Sequence, residues 1–274
     1  MRDNQSRTGR PKTVPPSPAP LQNNLAYVVP TEFVELPSRG RFYPEDHALH
    51  GQETVEIKYM TAKDEDILSS TALLKKGLAL DRLLENILVI DVDPADLLVA
   101  DRNAIMIAAR ISGYGWDYNV SAPCPNCETK VDHTFDLKES KMNEKCFDHM
   151  FLENKNVCYD EDQKVFSVVL PVSGIEVCVG ILTGKEEKEL MNADEERNVT
   201  SLLAALIASV SGDYSHQAVE AFVDNMPAAD SKFLRDLYSS LSPNISLRQS
   251  FICPACFHEQ EMEVPLTAEF FWPE

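Results

Sequence analysis

The sequence has little of several features that identify common classes of protein. Across its 274 residues, no apolar run approaches the roughly 18 residues that cross a bilayer, so we expect no contact with a membrane. The polar, basic start of the chain has no apolar segment after it, so we expect no secretory signal peptide. Lys and Arg number 25 against 44 Asp and Glu. A surface with that balance repels phosphate backbones, so nucleic acid is not an expected partner.

Recognisable catalytic motifs are also missing. The sequence contains no H-E-x-x-H and no G-x-S-x-G, and Gly113-Tyr-Gly115 does not continue into a phosphate-binding loop. The acidic runs at residues 160–162 and 186–187 are typical of solvated faces. We therefore expect no enzymatic activity and no small-molecule substrate.

Charge is distributed unevenly along the chain. Residues 1–24 contain five prolines and a net charge of +3, which leaves −22 on the remainder. A segment with so few large apolar groups cannot bury enough surface to offset the entropy of ordering it. We therefore predict a disordered, Pro-rich basic tail over residues 1–24 and a single body over residues 25–274.

The patterns within that body predict an α+β fold in which helical segments pack on antiparallel strands. Helical periodicity dominates residues 62–115, and strand-forming residues dominate 116–182 and 245–266. Residues 183–244 are predicted to be a helical insertion. Because strand-rich segments lie on both sides of this insertion, we expect one interleaved unit.

Local signals place some element boundaries. Thr61 with Asp64 has the spacing of a capping box that begins a helix, and so has Thr183 with Glu186. Asp101 is a favourable N-cap for a further helix.

Two longer segments complete the predicted pattern. The apolar stripe within residues 199–210 predicts one helix over that whole range. The polar stretch over residues 138–163 predicts a long excursion between strands.

The strongest functional signal is a Cys-Pro-x-Cys motif that occurs twice, at Cys124 and Cys127 and again at Cys253 and Cys256. Two residues between the cysteines allow a tight turn to aim both thiolates at one point. Each motif lies between two strand-like segments, which is the arrangement of zinc-ribbon hairpins. We therefore predict one Zn²⁺ per chain, held by four sulfurs in a closed structural site that leaves no position for a substrate.

The spacing leaves alternatives open, because 125 residues separate Cys127 from Cys253 whereas ordinary ribbons have roughly 15 to 20. Cys124 and Cys127 could instead combine with Cys146 and His149, which also have acceptable zinc spacing. A redox pair and metal-free buried thiols are further interpretations. Seven cysteines is an odd number, which disfavours a disulfide framework. Cys146, Cys158 and Cys178 are interpreted as ordinary thiols.

The last six residues, Glu269-Phe-Phe-Trp-Pro-Glu274, place three aromatic side chains in succession. We interpret this segment as an anchor, packed either into its own body or onto a partner. An extended conformation would direct Phe270 and Trp272 to one face and Phe271 to the other.

Taken together, these segments resemble the T4-type bacteriophage baseplate protein family, over roughly residues 34–274. The segments that carry the resemblance are Leu36-Pro-Ser-Arg-Gly40 with Tyr43-Pro44, Ile57-Lys-Tyr-Met-Thr-Ala-Lys-Asp-Glu-Asp-Ile-Leu68, Asp101-Arg-Asn-Ala, Ala109-Arg-Ile-Ser-Gly-Tyr-Gly115, the two Cys-Pro-x-Cys motifs and Phe270-Phe-Trp-Pro273. The family's members are described as baseplate hub or hub-assembly proteins of contractile-tailed phages.

The resemblance implies a non-enzymatic role in building a tail baseplate, through contacts with other hub or wedge proteins. It implies a location in the virion tail, or in the host cytoplasm during assembly. Two other classes of function remain open on the residues alone. One is a zinc-ribbon adaptor that binds host or phage transcription machinery, and the other is a thiol oxidoreductase.

Overall fold

The computed structural model describes residues 28–143, 145–193, 199–264 and 268–271. The predicted basic tail over residues 1–24 lies outside the described residues, and so does Trp272. The helices are α1 (Ala62–Ser69), α2 (Thr71–Lys75), α3 (Ala79–Ile87), α4 (Val99–Tyr114), α5 (His149–Asn154), α6 (Gly184–Ala193), α7 (Val199–Leu206), α8 (His216–Asp224) and α9 (Ala228–Leu241). The strands are β1 (Thr31–Glu35), β2 (Thr54–Lys58), β3 (Asp117–Pro123), β4 (Lys130–Asp136), β5 (Lys141–Met142), β6 (Val157–Asp160), β7 (Val165–Val169), β8 (Glu176–Val179), β9 (Ile207–Val210), β10 (Ile245–Ser246), β11 (Arg248–Ile252) and β12 (Glu259–Glu263).

The strands form five small sheets, in each of which the paired strands are antiparallel. β6, β7, β8 and β9 form a four-stranded sheet in that order. The other four sheets are the two-stranded pairs β1–β2, β3–β4, β5–β10 and β11–β12. One large hydrophobic cluster contains buried residues from β1 through α9, so helices and strands share a core. The predicted α+β class is confirmed.

Both predicted capping boxes are present. The Asp64 carboxylate accepts hydrogen bonds from the Thr61 backbone N–H at 2.8 Å and from its hydroxyl at 2.7 Å. Glu186 accepts from the Thr183 backbone N–H at 2.7 Å in the same way. These bonds satisfy amide groups that have no partner within the helix. α1 and α6 therefore begin where the sequence predicts.

The prediction of one helix over residues 199–210 is wrong in its last four residues. α7 ends at Leu206, and Ile207 begins β9, which pairs with β8. Residues 207–210 alternate between buried and half-buried side chains, which is the strand period. Pairing with β8 satisfies their backbone groups in the ladder, and this tertiary interaction overrides the local helical pattern.

The polar stretch over residues 138–163 is also more structured than predicted. It contains β5, α5 and β6, with Leu152 and Val157 buried in the main core. The Asp148 carboxylate caps α5 by accepting hydrogen bonds from the N–H groups of Met150 and Phe151. A few apolar side chains among many charges are therefore enough to attach this stretch to the body.

Asp101 is not the N-cap of its helix, because α4 begins two residues earlier, at Val99. Its carboxylate is fully buried and accepts hydrogen bonds from the Ser38 N–H at 3.0 Å and from the Tyr43 hydroxyl at 2.8 Å. The loop that it holds bends at Gly40 with φ +68°, where an added Cβ would lie 2.3 Å from the Gln52 nitrogen. Asp101 therefore fastens the Leu36-Pro-Ser-Arg-Gly40 segment to α4.

The C-terminal segment packs into its own body. Residues 268–271 form a short 3₁₀ helix in which Phe270 and Phe271 are both fully buried. The prediction that these two side chains point to opposite faces of an extended segment is wrong, because the helical turn directs both into the core. The buried Arg110 guanidinium of α4 donates to the Phe270 carbonyl at 3.0 Å and to the Gly115 carbonyl at 2.9 Å. Arg110 thus joins the chain's last described segment to the start of β3.

Candidate metal centre

Two β-hairpins carry the paired cysteines. β3 and β4 pair from Asp117 with Asp136 to Pro123 with Lys130, and the first knuckle, residues 124–127, lies just beyond the last pair. β11 and β12 pair up to Ile252 with Glu259, and the second knuckle, residues 253–256, follows in the same way. We call these two hairpins with their knuckles the ribbon, and the rest of the described residues the body.

The two knuckles have the same backbone hydrogen bonds. In the first, the Cys124 N–H donates to the Thr129 carbonyl at 2.9 Å, and the Glu128 N–H donates to the Cys124 carbonyl at 2.7 Å. In the second, the Cys253 N–H donates to the His258 carbonyl at 2.9 Å, and the Phe257 N–H donates to the Cys253 carbonyl at 2.8 Å. The repeated sequence motif is therefore also a repeated local structure.

The residue after each second cysteine has a left-handed backbone. Glu128 and Phe257 both have φ +58°. This conformation costs an L-residue roughly 1 to 2 kcal/mol, and neither side chain is of the type that tolerates it best. The same backbone bend thus occurs in both knuckles although neither of them uses glycine for it.

The four sulfurs lie together with the spacing that a metal requires. Cys124 Sγ is 3.7 Å from Cys256 Sγ, and Cys127 Sγ is 3.7 Å from Cys253 Sγ. All four ligand atoms lie within 4.8 Å of one another. A tetrahedron with Zn–S bonds of about 2.3 Å places its sulfurs about 3.8 Å apart, whereas a disulfide needs about 2.05 Å. The four cysteines therefore fit a tetrahedral metal ion and are not disulfide-bonded.

The surroundings of the sulfurs differ from one cysteine to the next. The Cys127 sulfur is exposed and lies 3.3 Å from the Thr129 hydroxyl. Hydrogen bonds from the Thr129 side chain and backbone lower the pKa of this thiol to about 6. Burial raises the pKa of the Cys253 thiol to about 11. A redox pair needs a lowered pKa at its leading cysteine, and burial has the opposite effect at Cys253.

An amide side chain also contacts the sulfur cluster. Asn126 Nδ2 donates to Cys256 Sγ at 3.6 Å, across the gap between the two knuckles. Donors of this kind stabilise the charge of thiolate ligands and orient them. Sequence reasoning missed Asn126, although its position between two cysteine ligands is where such a donor is expected.

The apolar core of the ribbon tip is small. The cluster around the sulfurs consists of buried Cys124, Phe251 and Cys253, with Val131, Cys256 and Met262 packed against it. Met262 also packs against the main hydrophobic cluster, to which Tyr118 of β3 and Phe135 of β4 belong. A cluster of this size buries too little apolar surface to stabilise two hairpins.

Polar and aromatic contacts connect the two hairpins nearer the body. The Gln249 side chain accepts from the Asp136 N–H at 3.0 Å and donates to the Asp136 carbonyl, so β11 is fixed to the end of β4. The His133 ring lies 4.5 Å from the Phe135 ring and 5.3 Å from the Phe251 ring. These contacts join the two hairpins through β4 and β11. No sequence motif identifies Gln249 or His133.

The alternative ligands lie elsewhere. Cys146 is buried in the main hydrophobic cluster of the body, and His149 is exposed at the first position of α5. Among the residues that the structure describes, the acidic, His and Cys side chains close enough to share a metal are the four cysteines of the knuckles. The long chain between Cys127 and Cys253 leaves through β4 and returns through β10 and β11, so both of its ends meet at this cluster.

The described helices differ from membrane-spanning helices in length and composition. None of those within residues 28–143, 145–193, 199–264 and 268–271 combines the length and apolar character needed to cross a membrane.

Comparison with known proteins gives one match. A protein-family profile described as T4 bacteriophage base plate protein matches residues 31–272. Neither the search of curated proteins nor that of solved structures returned a match. The profile spans both knuckles, the Leu36-Pro-Ser-Arg-Gly40 segment and α4, and it covers most of the chain. The chain therefore belongs to the T4 bacteriophage base plate protein family.

Proposed function

We propose that this structural phage protein acts in building the baseplate hub, and that one Zn²⁺ on Cys124, Cys127, Cys253 and Cys256 stabilises its fold. The observation that supports the metal most directly is the 3.7 Å spacing between sulfurs of opposite knuckles. The family match supports a structural component of a phage tail. The hub assignment and its partners, other hub or wedge proteins, are the finer part of the proposal.

The metal's role is structural because of its ligands. Four thiolates complete a tetrahedral shell and leave no position for water or substrate. The ion thus supplies cross-linking, and catalysis at this site is not part of the proposal. Zinc fits better than Mg²⁺ or Ca²⁺, which prefer oxygen ligands.

The position of the site determines what the cross-link stabilises. The 125 residues between Cys127 and Cys253 include α5 to α9 and the four-stranded sheet. A metal at the knuckles fixes both ends of this segment relative to each other. After β12 the chain reaches the buried Phe270 and Phe271, which Arg110 connects to the start of β3. Loss of the metal is therefore expected to loosen the C-terminal segment as well.

Complementation tests this proposal. A phage from which the gene is deleted would be supplied with the wild-type protein or with Cys253→Ser, and baseplate assembly would be followed by plaque titre and by composition of the tail fraction. We expect the wild type to restore the titre and to co-purify with tail proteins at a fixed ratio. Cys253→Ser should reduce the titre at least tenfold. Cys158→Ser, which removes an exposed thiol of β6, is the matched control and should behave as the wild type.

Other outcomes would point to another function. Full titre without this protein would contradict a role in baseplate assembly. Co-purification with RNA polymerase, and with no tail protein, would favour the transcription-adaptor alternative.

A further inference from the structure

The second knuckle carries an aromatic side chain that the fold does not use. Phe257 has 80% of its surface exposed, the highest fraction of any aromatic residue that the structure describes. Its backbone is left-handed, with φ +58°, which is a genuine outlier for a bulky residue. Such an outlier at an exposed position suggests a functional constraint, because burial of the ring does not offset the strain.

The first knuckle provides an internal comparison. Glu128 occupies the position equivalent to Phe257, with the same φ and the same hydrogen bond to the carbonyl of the knuckle's first cysteine. A charged, exposed residue is therefore sufficient for the knuckle turn and for the sulfur geometry. The knuckle turn and the sulfur geometry therefore do not account for the aromatic side chain at residue 257.

The exposed residues of β11 and β12 that are near Phe257 in the sequence are of mixed character. Ile252, which directly precedes the second knuckle, is 57% exposed, and it pairs across the hairpin with the exposed Glu259. Glu259 and Glu261 lie on the same face of β12, because alternate residues of a strand point the same way. We call Ile252, Phe257, Glu259 and Glu261 the knuckle tip. It combines two exposed apolar side chains with two carboxylates.

We propose that the knuckle tip is a docking surface for another protein of the baseplate, one that offers an apolar pocket with Lys or Arg at its rim. This inference rests on the proposed function. An exposed Phe is the type of side chain that anchors protein interfaces. Like charges brought together on binding would oppose association. The two carboxylates therefore favour a partner whose pocket has positively charged side chains at its rim.

Charge also argues against the simplest alternative occupant. If two copies of the chain met through their knuckle tips, the carboxylates of Glu259 and Glu261 from both copies would be brought into one interface. The chain's net charge of −19 adds a general repulsion between copies. A different protein with a basic rim is the occupant that the charges favour.

The test uses two matched substitutions in the full-length protein. Asn is the non-glycine residue that best tolerates a left-handed backbone, so Phe257→Asn removes the ring and relieves the strain. Glu128→Asn makes the equivalent change in the first knuckle. Both variants should keep one zinc per chain and a melting temperature at or above that of the wild type. We expect Phe257→Asn to lower the complemented plaque titre at least tenfold and Glu128→Asn to leave it within twofold.

A second variant and a cross-linking experiment make the test independent of folding. Ile252→Thr keeps a β-branched side chain in β11 and should also lower the titre. A photoreactive benzoylphenylalanine at residue 257 should cross-link, in infected cells, to a baseplate protein at a peptide flanked by Lys or Arg. The same group at residue 128 should not cross-link to that peptide.

The outcomes separate this inference from the proposed function. If wild-type protein restores the titre and folded, zinc-loaded Phe257→Asn restores it equally, the docking surface is wrong and the baseplate role stands. Cross-linking from residue 257 only to a second copy of this chain would also overturn the inference. If the gene can be deleted without loss of titre, the proposed function itself fails.

Discussion

The body and the ribbon of this protein are stabilised by different means. The body has a large hydrophobic cluster to which most helices and the four-stranded sheet contribute. The ribbon tip has three fully buried residues, two of which are cysteines. Apolar burial stabilises the body as in any globular protein, whereas we propose that a metal on the four cysteines holds the hairpins of the ribbon tip together. The difference predicts that the two regions respond differently to the same perturbation.

The largest effect is expected from removal of a sulfur ligand. Structural zinc contributes about 10 to 16 kcal/mol to folding in small zinc domains, so Cys124→Ser should unfold the ribbon locally. Hydrogen–deuterium exchange should show loss of protection in β3, β4, β11 and β12, with α4 and the β6–β9 sheet still protected. Cys158→Ser serves as the control. Uniform loss of protection across body and ribbon would show that the two regions are not separable.

A smaller effect is expected at the junction between the regions. Arg110 is fully buried and donates to the carbonyls of Phe270 and Gly115. Arg110→Met keeps much of the side-chain volume but leaves those carbonyls without their donor, which should cost about 2 to 3 kcal/mol. Urea unfolding would measure the loss, and limited proteolysis should cut after β12 in the variant first. Arg235→Met, at an exposed position of α9, should change stability by less than about 0.5 kcal/mol.

A third prediction concerns the body alone. Asp101→Asn places an amide where the Ser38 N–H, the Ser38 hydroxyl and the Tyr43 hydroxyl all donate. An amide offers one acceptor oxygen and two further donors, so we expect a loss of about 1 to 3 kcal/mol. The zinc content should not change, because the network lies in the body. Asp66→Asn, an exposed position of α1, is the control, and equal losses in the two variants would refute the role of the buried network.

The smallest expected effect is the pH-dependent contribution of Asp230 to the stability of the protein. Burial of Asp230 opposes its ionisation, but hydrogen bonds from the N–H groups of Val172 and Ser173 outweigh it and hold the carboxyl's pKa below its usual range. A lowered folded-state pKa stabilises the protein above the unfolded-state pKa of about 3.9, and this stabilisation is lost as the pH falls below that value. The free energy of unfolding should therefore differ between wild type and Asp230→Asn at pH 6. The difference should shrink as the pH approaches 3, and a difference that grows toward low pH would contradict the assignment.

The ribbon was largely predictable from the sequence, because each knuckle is specified by residues that are close together in the chain. A Cys-Pro-x-Cys motif specifies its own turn, and the two copies share one set of hydrogen bonds. The 125-residue gap did not obscure the site, since four soft ligands in two matched pairs suit one tetrahedral ion. Asn126 and Gln249 were not predicted, because their roles depend on where the opposite hairpin lies.

The body was less predictable where tertiary contacts decide the conformation. Residues 207–210 continue an apolar helical pattern but become β9, because β8 offers a sheet edge. Asp101 has the local signature of an N-cap, but its partners are Ser38 and Tyr43, about sixty residues earlier in the chain. The aromatic C-terminus was recognised as an anchor. Its helical turn depends on contacts such as the bond from Arg110, which no local pattern encodes.

X-ray absorption spectroscopy at the zinc edge, on full-length protein purified without added metal, tests the central claim most directly. We expect one zinc per chain with four sulfur neighbours at about 2.3 Å and no nitrogen or oxygen bound to the metal. The spectrum should be unchanged in His149→Ala and lost in Cys253→Ser. A shell containing nitrogen, or zinc retained in Cys253→Ser and lost in His149→Ala, would contradict the site described above.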